Sequence, residues 1–395
     1  MRKTETFWAA FFAAGLVLLL ASGCEPSASE PDGLDSLTVR VMTFNIEDVR
    51  GSDLDVGEQP RLARITAVVD SMRPDVLILN EIAYDSLGVT AQRFADRYLA
   101  GAYTAYMPPV NTGFASGLDL DNNGEAVTTY PPPPPAGPDG APAQQTPEGR
   151  AYGNDAFGFG TFPGQYGMAL LVREGFAIDS TGIRSFQTLP WSAMPDALRP
   201  MDPESGEFWY DDDEWPRFRL SSKTHVDVPV RLTNGSTLHL VLAHPTPPAF
   251  DGAEARNKRR NHDEIRLLAD YLNGEAYIVD DAGQIGGIPQ DARFLIAGDL
   301  NADPDEGSSI DDPIGRYLLS HPRVQGDFVP EASPERIASW PDLDPDDTAG
   351  WGLRVDYVLP STGLRIDAGG VYRPASPEEP AISDHFPVWV DVVVP

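Results

Sequence analysis

The chain has 395 residues, 41% of them hydrophobic, with 60 acidic against 29 basic side chains and a formal net charge of −31. That is enough apolar content for a large core, and the length admits one large α/β domain as readily as two or three smaller ones. The acid excess opposes a broad phosphate-tracking surface, because non-specific nucleic-acid binding draws on Lys and Arg, but it leaves room for a small basic pocket.

Arg2 and Lys3 precede an apolar run from Phe7 to Leu20, followed by Ala21-Ser22-Gly23-Cys24. The run is too short to span a bilayer and has the layout of a secretory signal. The single cysteine excludes an intrachain disulfide. Small residues directly before a lone Cys resemble a bacterial lipoprotein signal, with Ala21 where Leu is usual. That resemblance implies lipidation of Cys24 and an exported envelope protein, facing periplasm or surface, held to the membrane by its N-terminal lipid alone. The alternative is a plain secretory signal cut nearby. Residues 25–36 read as a flexible tether.

Leu37 to Phe44 alternates apolar and polar and predicts a strand ending at Asn45-Ile46-Glu47. Arg61 to Met72 has helical spacing, stopped by Pro74. Asp75 to Asn80 predicts a buried strand that delivers Glu81 at its end. Residues 108–164 are rich in Gly, Pro and Asn, with five prolines at 131–135. So long an irregular segment implies a functional lid or a disordered insertion. Within it, Asp119, Asp121 and Asn123 match the first half of a calcium loop, but Tyr130 at the twelfth position excludes an EF-hand. A looser structural Ca²⁺ site and a plain acidic turn both remain open.

Tyr166 to Val172 resumes as a strand. Phe218 to Val230 alternates over a long span, with Arg217, Arg219, Lys223, His225 and Asp227 on one face. That face reads either as solvated or as a cationic wall beside a phosphate. Thr237 to Ala243 is a strand ending at His244. Arg256, Lys258, Arg259, Arg260, Asn261 and His262 form a dense basic cluster ahead of a helix. Cations there oppose the helix dipole, so a bound anion is expected, with capping by Asn261 as the alternative. Phe294 to Ala297 runs into Gly298-Asp299-Leu300-Asn301, the sharpest passage from apolar strand to polar turn in the chain. Residues 305–350 are loop-rich and acidic. Arg354 to Leu359 is a strand carrying Asp356, and the last strand begins at Ser383-Asp384-His385. No repeat or internal linker is evident, so residues 37–395 read as one domain.

The polar residues Asn45, Glu81, His244, Asp299, Asn301, Asp356, Asp384 and His385 all fall at strand ends, where α/β sheets place their sites. Hard oxygen ligands with few histidines suit Mg²⁺ or Mn²⁺ rather than zinc. Five ordered signatures resemble the endonuclease/exonuclease/phosphatase superfamily: Phe44-Asn45, Asn80-Glu81, His244-Pro245-Thr246-Pro247, Gly298-Asp299-Leu300-Asn301 and Ser383-Asp384-His385. The Asp356-Tyr357 strand adds a sixth. The resemblance implies a four-layer α/β sandwich of the deoxyribonuclease I type, two packed mixed sheets flanked by helices. It implies Glu81 as main metal ligand assisted by Asn45, with Asp384 as a metal or orienting residue. Asp299 would activate or orient the water, Asn301 and His385 would contact the phosphoryl group, and Asp356 would pair with His244 or His385. Lys223, His225, Arg256, Arg260, Asn261 and His262 are the candidates for substrate phosphate. Two departures stand out: Asn80 replaces the usual Gln, and Gly164 replaces a second catalytic Glu before Gln165-Tyr166. The expected activity is metal-dependent hydrolysis of a phosphomonoester or small phosphodiester. An extracellular nuclease is the alternative enzyme, and a catalytically degenerate anion- or partner-binding lipoprotein the alternative outside enzymes.

Overall fold

Successive side chains of a strand point to opposite faces, and here both directions are filled. The computed structural model describes residues 36–57 and 59–395, so Cys24 and nearly all of the tether lie outside the described residues. In chain order the strands are β1 (Leu37–Val49), β2 (Val76–Ile82), β3 (Tyr103–Tyr106), β4 (Met168–Arg173), β5 (Ala177–Ile178), β6 (Arg184–Ser185), β7 (His225–Arg231), β8 (Thr237–Ala243), β9 (Phe294–Asp299), β10 (Asp356–Pro360), β11 (Arg365–Val371) and β12 (Val388–Val394). The α-helices are α1 (Pro60–Met72), α2 (Thr90–Tyr98), α3 (Pro147–Asn154), α4 (Arg256–Asn273) and α5 (Pro334–Ser339). Among the described residues, no helix is long and apolar enough to cross a membrane.

Two mixed sheets result. One has the order β11-β12-β1-β2-β4-β3, the other β10-β9-β8-β7-β5 with β6 also on β7. Within each, one central pair is parallel, β1 with β2 and β8 with β9. Val39 and Val41 of β1 face Leu240 and Leu242 of β8 in the layer between the sheets. Their neighbours Met42 and Phe44 point the other way, onto Leu62, Ile65 and Phe94 of α1 and α2. On the second sheet, Val241 and Ile296 point outward onto Ile265, Leu268 and Leu272 of α4. The layers are therefore helix, sheet, sheet, helix, as the resemblance implied.

Three sequence readings are corrected here. The Phe218–Val230 alternation yields a strand only from His225, and from Lys223 to Asp227 its polar face is buried rather than solvated. Helix α4 covers that face, so Asp227 is buried and accepts the Tyr271 hydroxyl at 2.7 Å. The basic cluster lies inside α4 rather than ahead of it, and Asn261 is no cap. The anion at this helix start is the protein's own: the Asp251 carboxylate accepts the Asn257 and Lys258 amides at 2.8 and 2.9 Å. Finally, of the two readings of the insert, lid or disordered segment, its built structure goes against the second. Bridges Thr112–Gly158 and Ala115–Ala156 fold it back on itself, and Leu118 and Leu120 are buried with α4.

Gly298 shows how tightly the strand ends meet. Its φ is +141°, and a Cβ there would lie 2.0 Å from the Ala243 carbonyl oxygen of β8. Backbone cannot yield as a flexible side chain can. Gly298→Ala is therefore expected to cost about 3 kcal/mol or more, from overpacking plus backbone strain. Chemical denaturation checks this, and a midpoint equal to wild type would refute the close approach.

Candidate active site

The site forms where the ends of both sheets converge. Parallel register sets Asn45 beside Asn80, just before Glu81. Antiparallel register sets Asp356 opposite Asp299. His244 follows the last residue of β8, and an Ala349–His385 bridge ties the Ser383-Asp384-His385 loop to the same rim. Ser383 fixes that loop by donating to the Asn45 carbonyl at 2.7 Å and accepting the His385 amide at 3.1 Å. Several non-glycine residues at the rim hold left-handed backbone: Glu47, Asp48, Glu81 and Asn301 have φ of 52°, 48°, 64° and 55°. Such strain persists only where surrounding contacts over-determine it, and it concentrates at functional sites.

The sequence left the partner of Asp356 open, and the geometry decides it. His385 Nδ1 lies 2.8 Å from Asp356 Oδ2, while its Nε2 lies 3.8 Å from Asp299 Oδ2. Burial would discharge this imidazole, but the carboxylates of Asp356 and Asp299 outweigh it and hold its pKa well above the ordinary value. Burial lifts Asp356 to about 6 against the opposing charge of His385. His385 thus sits among carboxylates that favour its charged form. Asp299 stays well below the usual carboxylate range: burial raises it, but His385 and the hydrogen bonds from His244 and Asn45 prevail.

His244 is different. Its Nε2 lies 3.3 Å from Asp299 Oδ2, its buried Nδ1 has no hydrogen-bond partner among the described residues, and burial with nearby Lys223 lowers it to about 4. This neutral imidazole lacks a second carboxylate, in keeping with Gly164. That glycine has φ +86°, and a Cβ would sit 1.9 Å from the Tyr84 carbonyl oxygen, so no acid fits there.

Asn45 Nδ2 donates to Glu81 Oε1 at 3.2 Å and to Asp299 Oδ2 at 3.0 Å, while its Oδ1 accepts the Glu47 amide at 3.0 Å. As placed it orients the two carboxylates rather than offering them an oxygen. Glu81, His244 and Asp299 each offer an atom within 4.8 Å of the others. Enclosure lifts Glu81 to about 7, with Asp384 and Asp48 adding to the rise against the opposing charge of His385. Two carboxylates and an imidazole in an acid-rich enclosure fit a hard divalent cation, whose charge would relieve that repulsion.

Of the residues read as a phosphate wall, several do something else. His225 is buried between Ser221 Oγ at 2.8 Å and the Glu264 carbonyl at 3.0 Å. His262 is buried against Asp263 Oδ1 at 2.9 Å and the Tyr317 hydroxyl at 3.3 Å. His225 packs against α4 and His262 is buried on α4 itself, and neither lines the cavity. Arg260 gives its guanidinium to the carbonyls of Leu220, Phe157 and Arg219, and Asn261 donates to those of Thr246 and Leu300. Arg256 lines the cavity but donates to the Leu120 carbonyl and lies 3.6 Å from Glu254. Lys223 lines the cavity as well.

In the acidic turn, Asp119 and Asp121 gather with Asp155, and the Asn123 Oδ1 accepts the Glu125 amide. The carboxylate of Asp155 accepts the Leu120 and Val127 amides, and that of Asp119 the Asn123 and Gly124 amides. These bonds hold the turn, and the three carboxylates lie close enough together to hold an ion.

Sequence reasoning missed residues that act through backbone. Arg61 of α1 donates to the carbonyls of Ile46 and Glu47, holding the strained end of β1. Asp48 joins Arg50 and Gln165 behind Glu81. Trp351 stands edge-on to His385 at 5.0 Å between ring centroids. Only the Gln165-Tyr166 pair carried any sequence signal.

The sequence profile described as the Endonuclease/Exonuclease/phosphatase family matches residues 42–385. The chain belongs to the endonuclease/exonuclease/phosphatase family. Its members are hydrolases that act on phosphoester bonds, generally with divalent metals. Similar solved structures include an endonuclease/exonuclease/phosphatase from Beutenbergia cavernae, at 20% identity over 90% of this chain and 71% of that one, with a TM-score of 0.49. The catalytic domain of human Nocturnin is 13% identical over 91% and 96% of the two chains, with a TM-score of 0.45. A Bacteroides vulgatus endonuclease/exonuclease/phosphatase is 13% identical over 90% and 98%, with a TM-score of 0.43. Comparison with curated proteins finds no match. This member of the family keeps the six signatures and carries a long ordered insert beside them.

Proposed function

We propose that this protein is a Mg²⁺- or Mn²⁺-dependent hydrolase of a phosphomonoester or small phosphodiester. The observation that carries the reading is the enclosure of the rim. Glu81, His244, Asp299, Asn301, Asp384 and His385 line a cavity of about 1060 Å³. The insert supplies one wall (Pro142 to Gln145, Asn154, Phe159), and Pro247 to Phe250 another. A cavity of this kind suits a small ligand, and the charge of −31 disfavours a polyanionic polymer.

In this reading Glu81 holds the metal with His244 or Asp299 at its edge, and Asp384 completes the acidic side. The metal, when bound, supplies Lewis-acid polarisation of a phosphoryl oxygen. Asp299, kept ionised, accepts a proton from the attacking water, which then enters in line with the leaving oxygen. Asn45 and the Asn301 amide hold Asp299 in place, the latter donating to Oδ1 at 2.9 Å. The Asn301 side chain donates to the Pro245 carbonyl at 3.1 Å, so it stands at the cavity edge where a phosphoryl oxygen would lie. The His385 imidazolium, fixed by Asp356, neutralises charge that develops on the phosphoryl group.

The test compares p-nitrophenyl phosphate, bis-p-nitrophenyl phosphate and plasmid DNA, each with Mg²⁺ and with chelator, over a range of salt. A nuclease groove loses about 0.9 log units of affinity per log of salt for each contacted phosphate. The expected result is metal-dependent turnover of a small ester with a shallow slope of about one or two on the same scale. Efficient plasmid degradation with a steep slope would replace this reading with the nuclease.

A further inference from the structure

Helix α4 clamps the loops around the site through a buried acid. Glu264 is fully buried, and its two carboxylate oxygens accept the backbone amides of Ser222 and Thr246, both at 2.6 Å. One turn earlier, Arg260 donates to the carbonyls of Arg219 and Leu220. The segment before β7 is thereby tied to the turn after β8, and that segment carries Lys223.

Lys223 is only 6% exposed, yet it lines the same cavity as His244 and Asp299. Its ammonium has three N–H donors, and among the described residues one acceptor, the Pro245 carbonyl at 3.2 Å. No carboxylate among them lies within ion-pair distance. The cavity's buried arginine, Arg260, spends its guanidinium on carbonyls, so of the two buried cations that line the cavity Lys223 is the one with donors to spare. Burial works against its charge, while Glu264, Asp299 and Glu81 favour it. An enclosed ammonium with unmet donors is unfavourable unless a ligand supplies anionic oxygen. A compact ammonium is suited to a phosphate oxygen, which it meets as a point charge.

We propose that Lys223 binds a non-bridging oxygen of the reacting phosphoryl group, and that Glu264 is the positioning residue that holds Lys223 and the His244 turn to the cavity. The proposal rests on the phosphoester reading above. A purely structural Lys223 would serve as a strut to the Pro245 carbonyl, and Gln at this position keeps a donor for that bond.

The test uses inorganic phosphate as probe on the whole protein, followed by calorimetry and by competitive inhibition. Lys223→Gln is expected to weaken phosphate binding and kcat/KM by about 10- to 100-fold, as for loss of a charged hydrogen bond, with a melting temperature near wild type. Methylammonium should partly restore Lys223→Ala. Glu264→Gln should lower kcat/KM, but add little in the Lys223→Gln background, because both act through one contact. A readout on the native chain covers variants that do not fold. The lysines are Lys3, Lys223 and Lys258, so reductive methylation followed by mass spectrometry resolves each. Phosphate should protect Lys223 and leave Lys258 unchanged; no difference at Lys223 overturns the proposal. Equal phosphate affinity in wild type and Lys223→Gln also overturns it. A wild-type protein that neither binds phosphate nor hydrolyses any phosphoester removes the proposed function itself.

Discussion

Glu81→Gln is expected to lose about three to four orders of magnitude in kcat, because a metal ligand contributes several kcal/mol of transition-state charge stabilisation. The substitution keeps the side-chain length and one acceptor oxygen. Asn45 Nδ2 donates to Oε1 and the Asp48 amide to Oε2, so the new NH₂ group faces one of these two donors and that hydrogen bond is lost. Gln asks nothing new of the left-handed backbone at this residue. Stability should move the other way. The Glu81 carboxyl is raised to about 7, chiefly by burial, so its ionised form opposes folding at pH values above its unfolded pKa. Removing that charge should leave the metal-free protein as stable as wild type or more so. Turnover against Mg²⁺ concentration, calorimetric metal titration and thermal melts in chelator check the three parts. Near wild-type turnover at saturating Mg²⁺ would remove Glu81 from the metal site.

Asp299→Asn should lower kcat by about 10²- to 10⁴-fold, the range for loss of a general base, and leave KM nearly unchanged, because proton acceptance acts in the transition state. Asn keeps one oxygen, and the Asn301 amide can retain its bond to it. The other position becomes an NH₂ group facing Asn45 Nδ2, now 3.0 Å from Asp299 Oδ2. Two donors then oppose each other, so one amide must turn. The change also takes from His385 one of the carboxylates that favour its charged form. Steady-state kinetics separate the outcomes: an effect confined to KM would exclude Asp299 from handling the proton.

The candidate site was readable in the chain because its residues sit at a local transition that sequence records. Apolar runs such as Val76–Leu79 and Phe294–Ala297 are obliged to be interior strands. The polar groups directly after them, Glu81 and Asp299, must therefore emerge at the sheet rims, and the family match over residues 42–385 covers the same passages. Helix α1 was equally plain, with Pro60 at its first turn and its apolar face at Leu62, Ile65 and Val69. Failures came where a local pattern has two physical outcomes. Alternation before His225 continues as a loop, because Glu264, Arg260 and Asn111 take up the backbone groups there that a strand would pair. A run of arginines reads as an anion site, yet Arg260 serves carbonyls that are distant in sequence and invisible to any local pattern.

The sequence by itself determined the strand ends, their order and the chemistry they carry, since each depends on a few consecutive residues. The tertiary structure alone decided which groups meet. His385 pairs with Asp356 because strand register and the Ala349–His385 bridge bring together residues 29 apart. Gly164 has no room for a side chain, because a Cβ there would meet the Tyr84 carbonyl. Glu264 gains its place only when α4 packs across the second sheet and turns an ordinary helical glutamate toward two loop amides. Such pairings are set by packing between layers, and packing has no period along the chain.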